Sequence, residues 1–362
     1  MTPTPMDNPA VSAAPKKTNY DFVDHIRALA IIAIVGEHSL GAGVPLTAAS
    51  SKYGFYLYMV QLTKFGTIAF FLLAGFLISD KFTLYTPGEY LKRRFNNTFG
   101  PWLFWSLVFL AVFTINLRVK ENMYHDGRFN MSAILAEVKE IYLYTNYWFI
   151  INFMVSITLL LIFKKYLYNK WFGGILLLFT IFYSINVHYE WISAAHTTAI
   201  LGFVFFLWLG AQLRKNFELV DQWLAKVPYW VLILLVIATG YAAVQEAIYL
   251  EHQHSVHNFN TLKATNVLYS LSMFALLLKA KTFKALYYLK PRDTTFGMYL
   301  VHAIVLGFVT PEILRPLHVD QAQMAIPYFV AYKTVFFVIT YAITLLIVRV
   351  IGATKAKGVI GN

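Results

Sequence analysis

DHIRALAIIAIVGEH, Asp24–His38, opens the first long apolar run of the chain, yet it carries Asp24, His25, Arg27, Glu37 and His38. Charged and titratable side chains inside an apolar span are costly and mark a site or a pathway by default. Arg27 and His38 stand eleven positions apart; at about 100° and 1.5 Å per residue that is roughly three turns, so both lie on one helix face about 16 Å apart. A permanent guanidinium charge near one membrane surface, in line with an imidazole near mid-membrane, suits a long anionic substrate held at one end and acted on at the other. Each residue also has a plainer reading, Arg27 as a snorkelling anchor and His38 as a helix–helix hydrogen bond.

The composition around this stretch is that of an all-α, polytopic membrane protein. The 362 residues are 58% hydrophobic, 17% aromatic and 13% charged, with mean hydropathy +0.56; a soluble domain averages about 25% charged residues. The absence of cysteine excludes disulfides, thiolate metal sites and a cysteine nucleophile. Residues 1–18, with four prolines and Lys16-Lys17, read as a disordered tail. The first apolar run is interrupted by Arg27 and His38 and lacks a small-residue cleavage site, so it reads as a retained span.

Ten runs have the length and apolarity of spans: 23–45, 55–79, 98–117, 141–163, 172–188, 194–213, 228–248, 264–279, 295–314 and 326–349. With the N-terminus in the cytoplasm, 20 of the 30 Lys and Arg residues fall in cytoplasmic segments, 7 on the opposite side and 3 within spans. That asymmetry follows the positive-inside rule and predicts both termini inside. It also explains the net charge of +12 as topology, with no nucleic-acid partner. The organisation predicted is a cytoplasmic tail (1–18), one transmembrane domain (19–352) and a second cytoplasmic tail (353–362), in the cytoplasmic or inner cell membrane.

Arg, ten residues, then His in the first span resembles the signature of the membrane acyltransferase-3 family, and Asp24 and the small apolar stretch Ala28–Val35 fit as well. The resemblance implies transfer of an acyl group, most commonly acetyl, from cytoplasmic acyl-CoA to a hydroxyl of a glycan or similar extracytoplasmic acceptor, as in polysaccharide O-acetylation. Acyl-CoA would be a co-substrate, with no permanently bound cofactor and no metal. Some members carry an appended esterase-like domain; none is evident here. On this reading His38 is the base that takes the acceptor proton, and Arg27 binds CoA phosphate or the pantetheine arm. Glu37 either orients His38 or pairs with Lys64 or Lys333.

Further family-like stretches lie along the chain. YLKRRFNN, Tyr90–Asn97, puts Arg93 and Arg94 at the cytoplasmic mouth of the third span, for CoA phosphates or as a topological anchor. The family usually spaces arginines by two residues there; this chain has Asn96 or Asn97 instead. FGMYLVH, Phe296–His302, sets Tyr299 and His302 one turn apart on the ninth span, for acyl-CoA or as a structural pair. In Tyr147–Ile150, Trp148 is an interface aromatic or a stacking platform for a sugar acceptor. Gly75, in FLLAGFLI, is a close-packing position. His252, His254 and His257 lack a metal-binding run. The first and ninth spans would line the pocket. The competing readings are a transporter or flippase of a glycan or lipid-linked sugar, whose buried Arg, His and Lys would serve a pathway, and a non-catalytic membrane partner.

Overall fold

The computed structural model describes residues 20–43 and 50–361, and all regular structure among them is helical. The predicted tail 1–18 and the end of the first span, 44–45, lie outside the described residues. Among the described residues fifteen α-helices run in order: α1 Asp21–Gly41, α2 Tyr53–Thr63, α3 Gly66–Leu84, α4 Pro87–Arg94, α5 Gly100–Tyr124, α6 Met131–Leu143, α7 Trp148–Ile162, α8 Lys170–Tyr189, α9 Ile200–Lys215, α10 Phe217–Lys226, α11 Tyr229–His252, α12 Ala264–Ala280, α13 Pro291–Ile304, α14 Thr310–Leu314 and α15 Ile326–Gly352. Two π-helical turns, Phe95–Phe99 and Val305–Val309, interrupt the long helices just after Arg94 and His302. Such turns recur at functional sites because each inserts a residue and re-aims the side chains around it.

Among the described residues six helical segments are long and apolar enough to cross a membrane: Tyr53–Phe82, Pro87–Tyr124, Lys170–Tyr189, Tyr229–His252, Pro291–Leu317 and Ile326–Gly352. The pair Met131–Leu143 and Trp148–Ile162, bent by 47°, makes a seventh if it is one span. The ten expected spans exceed that number because three of them fall on α1, α9 and α12. Helix α1 is long enough but carries Asp21, Asp24, Arg27 and Glu37, while α9 and α12 have only 16 and 17 residues.

Helix α1 is the hub of the bundle. It packs against α2, α3, α13 and α15, and thirteen of its residues, Ile26 and Val35 among them, are buried. Two apolar clusters meet around it, one from α3, α7, α9 and α12, the other from α5, α13 and α15. In the first cluster α3 and α9 touch backbone to backbone. A Cβ on Gly75 would lie 1.9 Å from the Leu207 carbonyl oxygen, and one on Gly210 2.1 Å from that of Leu72. Gly75 is thus the close-packing position expected, and Gly210 is its partner. Without a hydrophobic drive between helices in lipid, association rests on such close approach. Replacing Gly75 by Leu is expected to cost at least about 1–3 kcal/mol through overpacking, seen as a lower unfolding midpoint in detergent. Gly174→Leu, where a side chain would meet open space, should leave the midpoint unchanged.

Candidate functional site

Two helices build the site. Helix α1 supplies Arg27 and His38, and α13, packed beside it, supplies Tyr299 and His302. The rings of His38 and His302 face each other with centroids 5.3 Å apart and planes inclined at 39°. His302 is 1% exposed. Its Nδ1 lies 2.8 Å from the Tyr299 carbonyl oxygen and 3.1 Å from that of Met298. A carbonyl oxygen only accepts, so Nδ1 of the neutral ring carries the proton and donates it to the backbone. Nε2 is left as a buried lone pair with no partner among the described residues. His38 makes no side-chain hydrogen bond among the described residues. Two imidazoles therefore stand together, and the tautomer of one is fixed by its own helix.

The turn before α7 locks α13 in place. The Tyr147 hydroxyl donates to the Leu300 carbonyl over 2.7 Å, and the Asn146 side-chain amide to the Tyr299 carbonyl over 3.2 Å. The Tyr299 hydroxyl donates to the Asn146 carbonyl. Tyr299, expected to contact acyl-CoA, thus has its hydroxyl engaged by backbone and offers only its ring to the adjoining cavity.

That cavity, of about 360 Å³, opens beside the Arg27 end of α1. Arg27, Lys81, Arg94 and Arg292 line its polar part with Asn97, and Phe70, Leu73, Leu77, Phe149 and Phe153 its apolar part. Asp24 bridges two of the cations, 2.8 Å from Arg27 and 2.7 Å from Arg292. Arg94 donates to the Tyr90 hydroxyl over 2.7 Å. Four cationic side chains around one cavity, with one carboxylate holding two of them, make a cationic mouth on an apolar slot, the chemistry that suits an anionic group. Of the two arginines read from YLKRRFNN, Arg94 reaches this cavity. Arg93 is exposed, its guanidinium 4.7 Å from the Tyr85 ring centre, beside a smaller hollow of about 150 Å³. Asn97, three residues after Arg94, lies on the lining with it.

A second cavity, of about 540 Å³, lies beyond the histidines. Ala42, four residues past His38, and Leu306, four past His302, line it with Arg315, His318, Gln321 and Tyr332. Tyr299, three residues before His302, lines the cationic cavity. Along α1 and α13 the imidazole pair therefore sits between the two cavities.

Glu37 and Trp148 each take a partner from another element. Of the pairings expected for Glu37, the one with Lys64 is formed: Lys64, 2% exposed at the break between α2 and α3, donates to Glu37 Oε1 over 2.6 Å and to the Phe259 carbonyl over 2.5 Å. Glu37 points about 100° around the helix from its neighbour His38, and Lys64 draws it there. Lys333 donates instead to the Ala42 carbonyl. Trp148 is turned into the bundle. It is 8% exposed and stacked on His196, with centroids 4.3 Å apart and planes at 11°, and His196 Nε2 accepts from the Thr261 N–H over 3.2 Å. One face of the indole is thus already covered. Among the described residues no three His, Cys, Asp or Glu side chains gather as metal ligands.

Sequence reasoning missed Lys81, Asn97 and Arg292 as lining residues. By sequence Lys81 and Arg292 read as topological charge, and only their position over the Arg27 end of α1 separates them from the other basic residues.

With this geometry in hand, comparison with known families gives one match: residues 20–345 match the family described as acyltransferase domain, acyltransferase-3. No curated protein and no solved structure matches the chain. The match runs from the start of α1 into α15 and so takes in both histidines and all four cations of the mouth. The chain belongs to the acyltransferase-3 family and is a multi-pass membrane acyltransferase.

Proposed function

We propose that this enzyme transfers an acyl group, acetyl by the family resemblance, from cytoplasmic acyl-CoA to a hydroxyl of a glycan or similar extracytoplasmic acceptor. The observation that carries the reading is the imidazole pair His38–His302 between a cationic cavity and a second cavity. On this reading α1, α9 and α12 also cross the membrane, giving ten spans with both termini in the cytoplasm. Arg27, Lys81, Arg94 and Arg292 hold the phosphates of CoA. The apolar wall between Leu73 and Phe149 takes the pantetheine arm, which points the thioester toward Tyr299 and the histidines. The acceptor enters from the second cavity.

The chemistry is a direct exchange. His38 takes the proton of the acceptor hydroxyl as its oxygen attacks the thioester carbonyl. The tetrahedral intermediate collapses with loss of the C–S bond, and the proton passes to the departing CoA thiolate. His302 Nε2, the fixed lone pair, shares the proton while His38 carries it. No net proton is consumed. A base placed in this way contributes about 10²- to 10⁴-fold. The transporter or flippase alternative would use the same buried groups as a pathway; the family match favours the enzyme.

Labelled acetyl-CoA supplied to inverted membrane vesicles should label a glycan fraction. His38→Ala is expected to lower that rate by about 10²- to 10⁴-fold with expression unchanged. Labelling equal to native would show that His38 only packs. Substrate flux without any transfer would favour transport. Arg94→Ala should raise KM for acetyl-CoA about ten- to a hundredfold, as loss of a charge-assisted contact of about 1.5–3 kcal/mol. Its kcat should move little, because the contact persists from ground to transition state. Arg93→Ala, outside the cavity, should leave KM near native.

A further inference from the structure

Residues 355–361 lie beyond the stretch that matches the family, and they do not hang free. Thr354 caps a short 3-10 helix, Lys355–Ile360, by accepting from the Ala356 N–H over 3.1 Å. The Trp105 indole N–H of α5 donates to the Val359 carbonyl over 2.9 Å. Ile360 is 1% exposed and sits against Gly297 of α13, where an added Cβ would lie 3.0 Å from the Ile360 Cβ. Residues 353–361 of the predicted cytoplasmic tail therefore fold back on the bundle.

The next residue reaches the site. Gly361, with φ +79°, lines the cationic cavity together with Arg27, Arg94 and Arg292. A Cβ there would lie 2.5 Å from Phe296 Cδ1 and 3.0 Å from the Asn97 carbonyl oxygen. Phe296 and Asn97 are themselves lining residues. The segment thus supports two parts of the wall and supplies a third. Lys355 and Lys357 beside it are exposed.

We infer that Val359–Gly361 is a strap that completes the donor cavity and sets its affinity for acyl-CoA. The inference rests on the donor reading above. A donor that touches Gly361, Phe296 and Asn97 binds the docked strap better than the released one, so donor binding and strap docking favour each other by the same factor. Ile360 anchors the strap. Gly361 is a specificity position, because any side chain there would press on Phe296 or project toward the phosphates.

The test uses the full chain in nanodiscs with coenzyme A as the probe. CoA affinity is measured by titration, and tryptic release of the peptides following Lys355 and Lys357 by mass spectrometry. CoA should slow that release in the native protein. Ile360→Asp should speed it, remove the protection and weaken CoA binding about tenfold, within the usual range of coupling between two linked equilibria. Gly361→Val, which keeps the Ile360 anchor, should also weaken binding, whereas Gly358→Ala, at a position open to solvent, should not. Native affinity in Ile360→Asp despite faster cleavage, or native affinity in Gly361→Val, overturns the strap while leaving the donor reading intact. Failure of the native protein to bind CoA overturns both.

Discussion

A helix that carries Asp24, Arg27, Glu37 and His38 through an apolar bundle has to be enclosed by its neighbours, and that requirement organises this molecule. Asp24 is held between Arg27 and Arg292, and Glu37 is held by Lys64. Each partner but Arg27 comes from another element, so the charges of α1 fasten it to α13 at one end and to the α2–α3 break at the other. A buried pair of this kind is not in itself a source of stability, because desolvation offsets the attraction; removing one partner is what costs, typically about 3–5 kcal/mol. The pairs therefore specify which helices surround α1 and in what rotation.

Enclosure on these terms creates the site. The same rotation that carries Glu37 to Lys64 leaves His38 facing His302, and it leaves Arg27 at the edge of the cavity that Arg94 and Arg292 share. The π-helical turns after Arg94 and His302 themselves face the cavities: Asn97 and Thr98 of the first line the cationic one, and Leu306 and Gly307 of the second line the other. Close packing at Gly75 against Leu207 and at Gly210 against Leu72 brings α3 and α9 to backbone distance, which sets how near the α3 residues Leu73 and Leu77 stand to the cavity they line. Packing far from the imidazoles thus fixes the width of the slot that leads toward them.

The two cavities differ in character, and the difference bears on direction. The one at the Arg27 end has four cations over an apolar slot, fitting a ligand with a highly charged head and a thin apolar arm. The other is larger, and its lining mixes Arg315, His318, Gln321 and Tyr332 with apolar side chains, the mixed polar and aromatic surface that a hydroxylated ligand requires. Residues 355–361 close part of the first. On the proposed reading donor and acceptor approach from opposite sides, and the histidines lie between the two cavities they would use.

Much of this was legible before folding was considered. The apolar runs mark helices because every backbone polar group within lipid must be satisfied inside its own segment. The 3.6-residue period puts Arg27 and His38 on one face whatever surrounds them. Gly75 announced a close contact through its size alone. What tertiary structure decided were the partners: Lys64 rather than His38 for Glu37, His196 across the face of Trp148, Arg94 rather than Arg93 at the cavity, and Arg292 drawn to Asp24 from 268 residues away. Helical periodicity is local and repeats with the chain. Pairing across a bundle depends on which helix faces which, and that follows from the summed packing of all of them.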